Sequence, residues 1–172
     1  MSELLQDSER IQKKRDIVKS RISSCAKNAM DATYFYENLP DKIFYKIRNI
    51  YGFSATKEEV LGMIDDTLTH NGKTGLLLTL KGIYYRRMME SAGFISYSDV
   101  VDNPDILRRK LGDDFNISHL KELVNAIKAV DRYTPDELIS TANEAIQKLD
   151  TTVQKGREVL ELFKNTVESW KK

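Results

Sequence analysis

The residues most suggestive of chemistry lie in Asn71-Gly72-Lys73-Thr74-Gly75, which carries the Gly-Lys-Thr end of a phosphate-binding loop. The complete motif needs a first glycine at position 67, where the chain has Thr67, and a helix after the lysine, where Leu76 onward reads as strand. The stretch is therefore expected to be a turn. His70 and His119 are the only histidines and have no partner at metal-binding spacing; Cys25 is the only cysteine. A cysteine zinc cluster, a CxxC redox pair and an intrachain disulfide are excluded by that count, and Cys25 is expected to be inert packing. Asp65-Asp66 and Asp113-Asp114 could hold a hard cation. Each pair adjoins an expected turn, where aspartate is common for backbone reasons. GxSxG and HExxH are absent. These residues imply no catalytic, metal or cofactor site, and the chain is expected not to be an enzyme.

The elements that would position such residues centre on Val60 to Val101; everything on either side of it reads as helix. Val60 to Asp66 has apolar residues at both parities, as a strand covered on both faces requires. Asn71-Gly72 supplies a reversal, because both residues tolerate positive φ. Leu76 to Thr79 and Ile83 to Arg87 read as two strands joined through Leu80-Lys81-Gly82, with glycine where left-handed geometry costs least. Phe94 to Tyr97 is a further strand.

The run GLLLTLKGIYYR followed by ISYSDVV resembles bacterial pleckstrin-homology-like (PH-like) domains, over roughly residues 56–130. The resemblance implies a small bent antiparallel sheet with a capping helix, here Ser118 to Val130. It also implies two more strands between Val101 and Ser118, and Ile106 to Ile117 is read as a hairpin on that ground. Asn103-Pro104-Asp105 and Gly112 offer instead the start and stop of a short helix. Phosphoinositide-binding relatives carry several bases in the first inter-strand loop; Thr67 to Thr74 offers Lys73 and His70 alone. The resemblance thus implies a protein-binding platform more than a lipid pocket.

Ser2 to about Ala32 reads as a helix with an apolar seam of Leu4, Ile11, Val18 and Cys25. Its bases include Lys13, Lys14 and Arg15, candidate contacts to an anionic surface, although Glu9 and Asp16 interleave with them. Asp41 to Tyr51 reads as a short helix ending at Gly52, and Thr56 and Glu59 stand at capping-box spacing. Leu120, Leu123, Val124, Ile127 and Val130 form one stripe of a helix that can lie across the sheet. From Pro135 a long helix carries a three-four seam including Leu160, Phe163 and Trp170. The expected organisation is α+β: a helical segment at 1–52, a PH-like domain at 53–132 and a long amphipathic helix at 133–172.

With 31% charged and 41% hydrophobic residues and a formal net charge of +1, the 172-residue chain gives no global reason to expect nucleic acid. No run approaches a membrane span, and the first twenty residues lack the apolar centre of a secretory signal, so a cytoplasmic location is expected. The expected function is a non-enzymatic protein-interaction module: an adaptor, regulator or inhibitor of an unidentified protein, without a cofactor. Its candidate contact residues are Tyr34, Phe35, Tyr36, Phe44, Tyr45, Leu160, Phe163 and Trp170, and a homodimer through the terminal helices is expected. The alternative is a peripheral binder of anionic lipid that uses the first helix.

Overall fold

The computed structural model describes residues 2–132, with side chains from Asp7 to Asp131. The expected long helix from Pro135, with Leu160, Phe163 and Trp170 and any pairing of terminal helices, lies outside the described residues. Residues 1–132 form one compact unit. Five strands run in chain order as one open antiparallel sheet: β1 (Ala32–Phe35), β2 (Val60–Asp65), β3 (Gly75–Thr79), β4 (Gly82–Arg86) and β5 (Gly93–Ser96). The helices are α1 (Ser2–Cys25), α2 (Asp41–Tyr51), α3 (Tyr97–Asp102), α4 (Asp105–Leu111) and α5 (Ile117–Arg132). The architecture is α+β. Among the described residues no helix is long and apolar enough to cross a membrane.

Every residue of β2 and β3 is buried, which explains why their sequences lack alternation. Leu61, Ile64, Leu76, Leu78, Ile83 and Ile95 share one core with Val18 and Ile22 of α1 and Leu120, Leu123, Val124 and Ile127 of α5. Cys25 is buried in the same core, and burial pushes its thiol up to about 12, as inert packing requires. Val60, Met63 and Leu77 instead lie in a second core with Phe44, Ile47 and Tyr51 of α2. Side chains alternate across a strand, and a register shift between Val60 and Gly62 lets Leu61 join Ile64 and Val60 join Met63, so the two cores are the two faces of one sheet. Gly52 ends α2 with φ 67°, its N–H donating to Arg48 O at 3.1 Å, as the sequence predicts.

Four expectations need correction. Thr33-Tyr34-Phe35 is not part of a helical flank: it forms β1, paired with β2 from Ala32↔Asp65 to Phe35↔Gly62. So short a segment has no period of its own, and the edge of β2 decides its conformation by satisfying its backbone. The first helix stops at Cys25 rather than near Ala32. Ile106 to Ile117 is not a hairpin, because α4 occupies Asp105–Leu111 with Leu107 and Leu111 buried one turn apart and Gly112 N–H donating to Arg108 O. Gly82 is not left-handed; the glycines with positive φ among the described residues are Gly52, Gly72, Gly75 and Gly112. The β3–β4 turn is built by Thr79 instead, whose Oγ1 accepts from Gly82 N–H at 3.3 Å and donates to Gly82 O at 3.0 Å. Gly82 serves close packing, since a Cβ there would fall 2.8 Å from Phe94 Cζ.

Gly62 shows how tightly α1 seats on the sheet: a Cβ there would stand 2.6 Å from Val18 Cγ1 and Ile22 Cδ1. Gly62→Ala is expected to destabilise the fold by about 1–3 kcal/mol through overpacking. Gly52→Ala has open space around it and meets only the left-handed backbone penalty of about 1–2 kcal/mol. Urea unfolding of the two variants checks both values. A further relief of the Gly62→Ala defect by Ile22→Val would tie the cost to the α1 contact.

Candidate functional site

In an antiparallel meander alternate connections leave the sheet at the same end. Residues 66–74 (β2–β3) and 87–92 (β4–β5) therefore emerge together, and residues 26–31, which lead into β1 at Ala32, join them because Ala32 pairs with Asp65. Side chains bind these segments to one another. The buried Asp65 carboxylate accepts from Thr67 N–H at 3.0 Å, from Thr67 Oγ1 at 2.5 Å and from Gly72 N–H at 2.7 Å, which closes residues 67–72 into a fixed turn. His70, with φ 47°, donates from Nε2 to Met30 O at 2.9 Å. Arg86 donates from Nη1 to Lys73 O at 3.2 Å and from Nε to Glu90 O at 3.3 Å. Arg87 holds Asp114, in the connection between α4 and α5, at 2.7 Å, and Glu90 at 3.0 Å.

This frame displays apolar side chains. Met30, Leu68, Met88 and Met89 are 67, 82, 75 and 98% exposed, and they are four of the six large hydrophobic residues exposed among those described. Met89 has φ 63°, a conformation that an unbranched non-glycine residue adopts uncommonly. The charges around them are of both signs. Arg108 lies 3.5 Å from Asp113, and Lys27 donates to Asp113 O. Burial pushes the Asp66 carboxyl above its usual range, with Asp114, Asp31 and Asp65 adding to the shift and the Thr74 hydroxyl opposing it.

The residues singled out in the sequence are distributed differently. Phe44 is a core residue, while the adjacent Tyr45 is exposed with its ring edge-on to that of Phe44 at 5.3 Å. Tyr34 is half-buried in the α2 core. Phe35 and Tyr36 lie against bases of α1: the Arg15 guanidinium, one of those considered for an anionic surface, stacks 3.4 Å from the Tyr36 ring centroid, and Lys19 Nζ lies 4.8 Å from that of Phe35. Arg15 also donates to Glu58 O at 2.7 Å, and Lys14 is buried against Asp131 at 2.6 Å. Lys13 is half-buried. Lys14 and Arg15 therefore fasten the helix to its neighbours. Lys73 of the Gly-Lys-Thr sequence is exposed and leads into β3 rather than a helix. Among the described residues, no three histidine, cysteine or acidic side chains converge as a metal site. The loop methionines and Leu68 escape sequence reading because each stands inside a polar turn. Apolar residues interrupting such turns, as in Thr67-Leu68-Thr69, are the signal that marks them.

Asp66 gives a pH test of this frame. Its raised pKa means that the folded chain takes up a proton before the unfolded chain does. The ionised carboxylate thus costs stability above that pKa, and the cost is relieved as pH falls through it. Asp66→Asn keeps an acceptor for Thr74 and is expected to be more stable than the native chain near neutral pH, with the difference shrinking below the ordinary carboxylate range. Urea midpoints across that span check it; a gap that widened on acidification would contradict the assignment. No protein-family model, curated protein or solved structure matches this chain, so its reading rests on the loop end itself.

Proposed function

We propose that this chain is a non-enzymatic protein-interaction module, an adaptor, regulator or inhibitor, that contacts its partner through the loop end of the sheet. The observation that carries the reading is that Met30, Leu68, Met88 and Met89 are all exposed on cross-linked loops that leave the sheet at the same end. Apolar side chains left wet at one end of a fold suit a contact surface, and methionine serves there by adapting its shape. A rigid turn displaying them loses little entropy on binding. The charges on and beside these loops are of both signs, with Arg87 paired to Glu90 and Asp114 and Arg108 to Asp113, which suits a protein partner, whereas an anionic membrane calls for bases alone. The PH-like resemblance agrees with a binding platform; it rests on the β3–β4 hairpin and on α5, while α3 and α4 stand where it implies two further strands.

A photo-crosslinking residue at position 89, compared with one at exposed Glu122 on α5, tests this in the native cell. Position 89 is expected to yield a discrete protein adduct that position 122 does not. Met88→Asp with Met89→Asp should abolish it, while stability stays within about 0.5 kcal/mol, since both positions are exposed and aspartate accepts positive φ. No adduct at position 89, or recovery only with vesicles of anionic phospholipid, would count against the reading.

A further inference from the structure

Beside Met89 the loop end holds a cleft of about 640 Å³ lined by Ile50, Arg86, Met89, Glu90, Ser91 and Ala92. Ile50 of α2 and Met89 and Ala92 of the turn contribute apolar groups to a lining that also holds Arg86, Glu90 and Ser91. Arg86 is its distinctive group. Both hydrogen bonds of this guanidinium go to main-chain carbonyls, Lys73 O and Glu90 O, which hold it in place without neutralising it. The Glu90 carboxylate, the acid nearest at hand in the lining, is already paired with Arg87 at 3.0 Å. Among the described residues neither Arg86 nor Lys73 takes part in an ion pair.

Resting on the protein-interaction reading above, we infer that this cleft receives an acidic, apolar peptide segment of the partner: a carboxylate on Arg86, and a neighbouring aliphatic or aromatic side chain between Ile50, Met89 and Ala92. Charge complementarity selects this occupant. A guanidinium held on carbonyls and outside any ion pair among the described residues is matched by a carboxylate, and the apolar groups beside it add a contact for a neighbouring side chain. The volume admits one or two side chains. The strained, exposed Met89 then closes over the bound residue as an apolar lip. An anionic membrane would be expected to engage a field of bases, and the surroundings of Arg86 supply only Lys73 besides the paired Arg87.

The test uses the whole chain and three sets of fluorescent peptides in which a pair of leucines is flanked by glutamates, by serines or by lysines, read by polarisation. The glutamate set is expected to bind about tenfold tighter than the serine set, and the lysine set weakest. Arg86→Glu should reverse the order. Lys73→Glu, at an exposed side chain, should narrow the preference without moving the thermal midpoint. Arg86→Gln keeps a donor for the carbonyls and removes the charge, so loss of preference with an unchanged midpoint separates charge recognition from loop disruption. Equal binding of all three sets, an order unchanged in Arg86→Glu or Arg86→Gln, no binding of any set, or binding only to anionic vesicles overturns the inference. In the first three cases the adduct at position 89 still reports whether the loop end is a protein contact.

Discussion

The loop end depends on one buried carboxylate. Asp65 ends β2 with no surface exposed, and no cation pairs with it among the described residues. A carboxylate withdrawn from water must be hydrogen-bonded or its burial costs several kcal/mol. Thr67 and Gly72 meet that requirement, and in doing so they set the path of the chain between them. Gly72 has φ 71°, and a Cβ there would press within 2.6 Å of Ile47 Cγ2, so the turn is seated directly on α2. From that turn His70 reaches the preceding loop, and the Lys73 carbonyl receives Arg86 from β4. The exposed apolar residues are thus held by polar groups that are themselves satisfied.

The sheet beneath explains why these loops can be rigid. Both faces of β2 and β3 are covered, by α1 and α5 on one side and α2 on the other, so the strands cannot slip register without moving apolar side chains between cores. At the β5 edge two glycines sit under rings, Gly82 beneath Phe94 and Gly93 beneath Tyr85, where the ring of a neighbouring strand supplies the packing that glycine lacks. Buried Tyr97 closes the other end of this region, donating to Thr79 O at 2.6 Å. The end of the sheet opposite the loops is therefore fastened by Thr79 and Tyr97, and the variable, exposed segments are left to the end where binding is proposed.

Electrostatics divide the surface in the same way. On α1 two of the bases are consumed structurally: Lys14 by Asp131, and Arg15 by Tyr36 and the Glu58 carbonyl. A row of lysines and arginines in a sequence counts charges without saying where their partners are. Arg86 is the contrasting case, because its partners are carbonyls that orient the guanidinium and leave its charge available.

The sequence by itself determined the elements whose signals are local. The hairpin from Gly75 to Arg86, the helix from Asp41 to its stop at Gly52, the Thr56–Glu59 capping box and the α5 stripe all follow from side-chain period, positive-φ tolerance and capping chemistry, which act within a few residues. The boundaries of α4 were also written locally, in Pro104 and Gly112, and were outweighed only by the strands that the resemblance implied. Tertiary structure alone decided the rest. β1 exists because the edge of β2 was there to pair with it. Phe44 was drawn inside and Tyr45 left outside by the direction in which α2 faces the sheet. Met30, Leu68 and Met88-Met89 are far apart in the chain, and only an antiparallel meander, which returns alternate connections to one end, places their loops at the same end of the sheet.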